Sequence, residues 1–192
     1  MSLRALLAML ALSLPLAAQG KADAPKPAEK TEAPKAEDEK PVVTHHELRT
    51  GAKVLKYTAT AGYLPLKSEK GEPEAKLFFT AYTLDGAGPD RPLVFAFNGG
   101  PGSASVWLHL GALGPKRVKL MDDGQLPPPP FQLVDNESTW LDQADLVFID
   151  PVGTGFSRAE KPELNKRYWS LKGDVDSVGE FIRLYLSRNE RW

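Results

Sequence analysis

The 192-residue sequence contains no cysteine and has no excess of positive charge. Without cysteine there is no disulfide framework, so an exported protein of this size must be stabilised by core packing, which suits a bacterial envelope. The 24 basic side chains are balanced by 25 acidic ones, and the formal net charge is −1. This balance argues against a nucleic acid partner, because nothing supplies the positive surface that a phosphate backbone requires.

An apolar run near the start of the chain, ALLAMLALSLPLAA, covers Ala5 to Ala18. It is shorter than the ~20 apolar residues that cross a bilayer. A short basic head precedes it and small residues suited to cleavage follow it, so residues 1–20 are interpreted as a secretory signal peptide. No cysteine follows for lipid attachment. The interpretation predicts an exported protein, periplasmic or secreted, with no membrane span once the signal is removed.

Residues 21–41, KADAPKPAEKTEAPKAEDEKP, lack aromatic side chains, and their charges nearly cancel. Such a segment buries too little apolar surface to offset its ordering entropy, and a disordered linker is predicted. Residues 42–192 remain, which is enough for one domain with its own core.

Two kinds of strand are predicted in this domain. The segments KVLKYTAT and KLFFTAYT alternate in short pieces, which is typical of antiparallel strands at a sheet edge. The segments LVFAFN (Leu93 to Asn98) and LVFID (Leu146 to Asp150) are apolar on both faces, which indicates central strands covered by helices. Each of these two strands ends in a glycine-containing turn.

A helix is predicted after each of the two central strands. The first covers Ala104 to Leu110, with Ser103 as its cap, and the second covers Asp174 to Ser187. Strand, turn and helix repeated in this way indicate an α/β sheet. The sequence reaches the polar SRNERW where a further strand would be expected, which predicts a truncated domain.

The turn after the first central strand reads NGGPGSAS. Its glycines lack Cβ atoms and lie where open α/β sheets bind ligands, so their amides can approach an anion. A phosphate loop would need a Gly-Lys-Ser/Thr ending, which is absent, and a dinucleotide loop would need glycine where Ser105 stands. The transient oxyanion of acyl transfer, which needs fixed backbone donors, fits best.

Three segments, NGGPGSAS, LGALGP and NESTWLDQADLVFIDPVGTGFS, together resemble the N-terminal part of the serine carboxypeptidase family. The resemblance runs from about Thr44 to Trp192. It implies an α/β-hydrolase-type sheet, of which residues 42–192 are the N-terminal part. It further implies serine-type release of C-terminal residues from peptides with a free C-terminus, without a cofactor or a metal ion.

The same resemblance implies roles for single residues. Gly100, with Gly99 beside it, would supply the oxyanion-hole amide, and Asn98 would hydrogen-bond the free carboxylate of the substrate. The remaining motif residues expected at the substrate-binding turn are Pro101, Gly102, Ser103 and Ser105.

The sequence also departs from the family pattern. Ala96 and Ala112 stand where well-studied members have a tryptophan and an acidic residue that help to bind the substrate carboxylate. Ser103 stands where many relatives have a disulfide cysteine.

No Gly-x-Ser-x-Gly elbow is present, so the nucleophile, Asp and His of the triad are expected outside this chain, which alone is predicted to be inactive. A competing hypothesis makes Ser157 the nucleophile, with Asp150 and a histidine as partners. It is disfavoured because no helix is predicted directly after Ser157. A different class, a non-catalytic envelope module that binds peptide C-termini through Asn98, stays open.

Histidines and tryptophans give no further catalytic candidate. His45 and His46 are expected to be exposed and inert, without the further ligands that a metal site needs, and His109 is expected to pack on a helix face. The four tryptophans are predicted to be core residues: Trp107, Trp140, Trp169 and Trp192.

Overall fold

The computed structural model describes residues 40–98 and 102–192. The predicted signal peptide and nearly all of the predicted linker lie outside the described residues, as do Gly99, Gly100 and Pro101.

Within residues 40–98 and 102–192, eight strands form two sheets. The strands are β1 (Val42–Thr50), β2 (Lys53–Lys67), β3 (Pro73–Leu84), β4 (Leu93–Ala96), β5 (Lys116–Val118), β6 (Leu133–Asp135), β7 (Asp145–Ile149) and β8 (Arg158–Ala159). The large sheet has the order β1-β2-β3-β7-β4, with β8 paired to β3, and β5 and β6 form a separate antiparallel pair. Neighbours in the large sheet are antiparallel except β4 and β7, which are parallel. The predicted antiparallel pairing of KVLKYTAT and KLFFTAYT is therefore confirmed, but β2 and β3 each have neighbouring strands on both sides, and β1 is the antiparallel strand at the edge.

The described helices are short, apart from the last one. They are α1 (Val106–Leu108), which continues as a π-helical turn (His109–Leu113), α2 (Asn165–Tyr168) and α3 (Leu171–Arg188), with 3-10 turns at Trp140–Asp142 and Pro162–Leu164. The helix predicted from Asp174 to Ser187 thus begins three residues earlier. Ser170 is its cap, since the hydroxyl oxygen accepts a hydrogen bond from the Gly173 amide at 3.1 Å.

Alternating side chains place one core on each face of the large sheet. Val147 and Ile149 of β7 pack towards Phe181 of α3. Phe148, between them in sequence, joins the core on the opposite face with Leu141. All five residues of β7 are buried, which confirms the prediction of a covered central strand for LVFID.

The segment LVFAFN is less buried among the described residues. Strand β4 ends at Ala96, which is its only buried residue, and Leu93, Val94 and Phe95 are half-buried. Among the described residues β4 has one neighbouring strand, β7, and its other edge is open. The apolar pattern of LVFAFN predicted a strand at this position, but it does not specify how many neighbouring strands pair with it.

The prediction that the four tryptophans are core residues was wrong. Between 52% and 80% of their surface is exposed. Trp140 lies in a 3-10 turn whose buried residue is its neighbour Leu141, and Trp107 lies on an α1 turn without buried residues. Each of these turns contributes at most one face to the core, and that face is occupied by other side chains.

Candidate active-site region

The parallel pairing of β4 and β7 brings two loops together. Ala96 is in register with Phe148, so Asn98 and Asp150 each follow two residues beyond the last register pair. The glycine turn after β4 and the loop after β7 therefore leave the sheet at the same end. In open α/β sheets ligands bind at this end, beyond the carboxyl ends of the strands.

Asp150 connects the two loops. Its Oδ1 atom accepts hydrogen bonds from the amide and the hydroxyl of Ser105, both at 2.9 Å. Its Oδ2 atom accepts one from the Phe156 amide at 3.1 Å. Only 5% of Asp150 is exposed. The carboxylate thus binds the end of the glycine turn on one side and the 153–157 segment on the other.

The loop after β7 fits closely around Asp150. Gly155 has φ of +45°, and a Cβ atom at this position would lie 1.8 Å from Oδ2 of Asp150. Only glycine both adopts this positive φ readily and lacks the Cβ atom that would collide with the carboxylate. The other glycine of VGTGFS, Gly153, lies against the indole of Trp169.

Ser157 is fully buried and its hydroxyl is used twice. The hydroxyl donates to the backbone carbonyl of Asp150 at 2.6 Å and accepts from the Phe78 amide at 2.7 Å. A nucleophile needs an accessible hydroxyl within reach of a base. The arrangement gives Ser157 a packing role and disfavours the hypothesis that it is the nucleophile.

The described part of the glycine turn has one unusual polar group. The Oδ1 atom of Asn98 is buried and has no hydrogen-bond partner among the described residues. Gly102 is exposed with φ of +124°, and Ser103 is half-buried. Both polar groups of Ser105 are bound by Asp150.

The helix predicted after this turn differs from the observed one. Its α-helical part covers Val106–Leu108, and the chain continues as a π-helical turn to Leu113, so Gly111 lies within the turn and Gly114 ends it. Ser103 is not the cap; Ser105 occupies that position and makes no side-chain capping bond. Its hydroxyl donates to Asp150 instead.

The LGALGP segment (residues 110–115) is held by hydrogen bonds from side chains of the NESTW segment (residues 136–140). The Asn136 side-chain amide donates to the carbonyls of Ala112 at 2.7 Å and Gly114 at 2.8 Å. The Thr139 hydroxyl donates to the carbonyl of Leu113 at 2.8 Å. Sequence reasoning missed these roles and that of Asp150, although all three residues lie in quoted motifs. The partners are 22 to 45 positions apart, so spacing gives no signal of the contacts.

His109 lies in the π-helical turn and packs as predicted. Its ring stacks on Phe148 with centroids 4.6 Å apart, and its Nε2 atom lies 2.6 Å from the Tyr82 hydroxyl. Burial lowers the pKa of His109 to about 4, and the nearby Asp150 carboxylate opposes this shift only in part. Burial raises the pKa of the Tyr82 phenol. At neutral pH both rings are uncharged.

Stability is expected to fall as the pH falls from about 6.5 to about 4. The pKa of His109 is lowered to about 4 in the folded state, so over this range the unfolded chain binds a proton that the folded chain does not, and up to about 3 kcal/mol is lost. His109→Gln should flatten this part of the profile, measured by urea unfolding. His45→Gln, on the exposed first strand, is the control, and identical slopes for His109→Gln and the wild type would contradict the prediction.

Comparison with known proteins decides the family. The serine carboxypeptidase family model matches residues 50–191. The chain belongs to the serine carboxypeptidase family. Among curated members of this family, serine carboxypeptidase-like 13 of Arabidopsis thaliana is 30% identical over 159 residues, which cover 79% of this chain. The pheromone-processing carboxypeptidase KEX1 of Saccharomyces cerevisiae is 37% identical over 113 residues, which cover 55% of this chain.

A solved carboxypeptidase shows the same fold. The crystal structure of Kex1(delta)p, a prohormone-processing carboxypeptidase from Saccharomyces cerevisiae, matches 68% of this chain with a TM-score of 0.52 and 33% identity. The prediction of a partial α/β-hydrolase-type fold is thereby confirmed.

Coverage of these relatives is partial. The chain spans 35% of the length of serine carboxypeptidase-like 13, 14% of KEX1, and 28% of the solved chain. Among the described residues, no helix has both the length and the hydropathy needed to cross a membrane.

Proposed function

We propose that the protein is a serine-type carboxypeptidase that releases C-terminal residues from peptides. In this proposal residues 42–192 are the N-terminal part of the hydrolase domain and supply the oxyanion turn and part of the carboxylate pocket. The catalytic Ser, Asp and His lie in other sequence. The observation that supports the proposal most is that the family match includes both loops that Asp150 joins at the carboxyl ends of β4 and β7.

The proposed chemistry uses the turn in two ways. The side-chain NH₂ of Asn98 donates to the free carboxylate of the substrate and so selects the terminal peptide bond. The backbone N–H of Gly100, with Gly99 beside it, donates to the carbonyl oxygen that becomes negative when the serine attacks. Donors fixed in advance stabilise the transition state more than the ground state, and this difference is what accelerates the reaction.

Export is part of the same proposal. Residues 1–20 would direct secretion, and residues 21–41 would connect the cleaved N-terminus to the domain. The substrates would then be peptides of the periplasm or the surroundings of the cell.

The function is tested with matched peptides that carry a free or an amidated C-terminus. The complete protein is expected to release the last residue of the free peptide and to leave the amide much less affected, since only the free form offers Asn98 a carboxylate. Equal cleavage of both peptides would contradict carboxypeptidase activity. Binding of the free peptide without any cleavage would favour the non-catalytic module.

The 192-residue chain itself is expected to release no residue from a blocked dipeptide. Its one elbow-like serine, Ser157, is fully buried, and its hydroxyl is already hydrogen-bonded to backbone groups. Measurable release that disappears in Ser157→Ala would refute this prediction and restore Ser157 as the nucleophile.

A further inference from the structure

We infer that Asp150 is a positioning residue that holds Ser105, at the end of the glycine turn, against the loop after β7. This inference rests on the proposed function, because the turn matters for catalysis only if it supplies the oxyanion donor. Asp150 does not contact the reacting atoms in this account. It acts through the amide and the hydroxyl of Ser105, at the end of the turn that begins at Asn98.

The carboxylate is suited to such a role by its partners. All three hydrogen bonds come from two residues, Ser105 and Phe156, and two of the three donors are backbone amides. A hydrogen bond to a backbone amide holds the main chain itself. A bond to the end of a long side chain would leave several rotatable bonds between the contact and the main chain. A buried carboxylate with these donors therefore sets the distance between the two loops.

The loop on the other side of Asp150 is itself fixed to the sheet. Ser157 joins the Asp150 carbonyl to the Phe78 amide of β3, and Gly155 leaves no room for Oδ2 to move towards it. Asp150 is thus attached to the rigid sheet by its own backbone and by this loop. The geometry gives Asp150 the task of holding Ser105, at the end of the glycine turn, in a fixed position relative to β7.

Asp145 offers a matched control at the other end of the same strand. It is also a buried aspartate, with 2% exposure, but it accepts hydrogen bonds from the Leu84 amide and from the guanidinium groups of Arg91 and Arg191. Five residue steps along a strand separate it from Asp150 by about 16 Å. Its loss should affect stability without reaching the turn.

The critical variant is Asp150→Asn, which conserves shape. In either orientation of the new amide, its NH₂ group faces the amide of Ser105 or that of Phe156, and one backbone N–H loses its acceptor. In the complete protein, we expect kcat to fall by about tenfold to a hundredfold, which is the usual cost of displacing a catalytic group. The value is normalised by titrating the catalytic serine to completion with a fluorophosphonate, so that unfolded molecules are not counted.

The controls separate positioning from stability. Asp145→Asn should lower the unfolding midpoint and keep the wild-type kcat per titrated serine. Ser105→Ala, which removes one donor of the three, should lower kcat by a smaller factor, and it carries the test if Asp150→Asn does not fold. The inference is overturned if both Asp150→Asn and Ser105→Ala keep the wild-type kcat per titrated serine. If Asp150→Asn does not fold, a wild-type kcat in Ser105→Ala alone overturns it.

Hydrogen exchange supplies a readout that does not depend on activity. The amide of Ser105 or of Phe156 should exchange faster in Asp150→Asn than in the wild type, while amides of the β1–β2 pair keep their rates. Unchanged exchange at both amides would overturn the positioning role. A wild-type protein without peptidase activity would instead remove the proposed function, and the exchange rates would still decide whether Asp150 fixes the turn.

Discussion

Asp145→Ala is expected to destabilise the fold by about 3–5 kcal/mol, the usual cost of removing one partner from a buried ion pair. The variant leaves two guanidinium groups without their counter-charge, and the side chains of Arg91 and Arg191 are only 14% and 13% exposed. The Leu84 amide also loses its acceptor. Urea unfolding of the variant and the wild type, compared at equal ionic strength, measures the difference.

The control for this prediction is Asp142→Ala. Asp142 pairs with Lys53, whose side chain is 64% exposed, so water replaces the lost contact and little change is expected. Similar losses in both variants would show that the burial of Asp145 does not determine its contribution. Arg191→Met tests the same contact from its other side, and it should recover part of the stability in the Asp145→Ala background, because it removes one unpaired charge.

In the proposed carboxypeptidase activity of the complete protein, Gly100→Pro is expected to lower kcat by about 10²–10³-fold, the usual effect of losing one oxyanion-hole donor. Proline has no backbone N–H, so the substitution removes the proposed donor itself. Release of the C-terminal residue from a blocked dipeptide, normalised by titration of the catalytic serine, measures this effect. The substrate KM should change less than kcat, because the donor acts on charge that develops in the transition state.

Gly100→Ala separates the donor from the shape of the turn. Alanine keeps the N–H group but restricts the backbone, so a variant that keeps most of the kcat would support the donor role. Equal losses in the two variants would assign the effect to backbone conformation. Unchanged turnover in Gly100→Pro would contradict the oxyanion role altogether.

Sequence patterns predicted the elements of this fold better than their surroundings. The period-two alternation and the fully apolar LVFID identified antiparallel strands and a buried strand correctly, because local patterning determines which face of a strand is buried. The same reasoning failed for the tryptophans. Their burial depends on which other elements cover them, and that information lies far away in the chain.

The site shows the same division. The glycine turn was predicted as a site from its own residues, and that role stays a prediction because Gly99, Gly100 and Pro101 lie outside the described residues. The residues that hold its end and the LGALGP segment could not be predicted, because the contacts of Asp150 with Ser105 and of Asn136 with Gly114 join positions 45 and 22 residues apart. A sequence motif indicates that a residue is needed, but only its tertiary contacts show which role it has.

The sheet order has a consequence for the order of folding. Strands β1, β2 and β3 pair with their neighbours in sequence through short turns, whereas β7 enters between β3 and β4 only after a long loop closes. Loop closure costs entropy before the new contacts repay it, so distant pairings form late. The β1–β3 meander is therefore expected to form first in refolding. The pairing of β7 with β4, which precedes the glycine turn, is expected to form last. Any catalytic competence would then appear as the final kinetic phase.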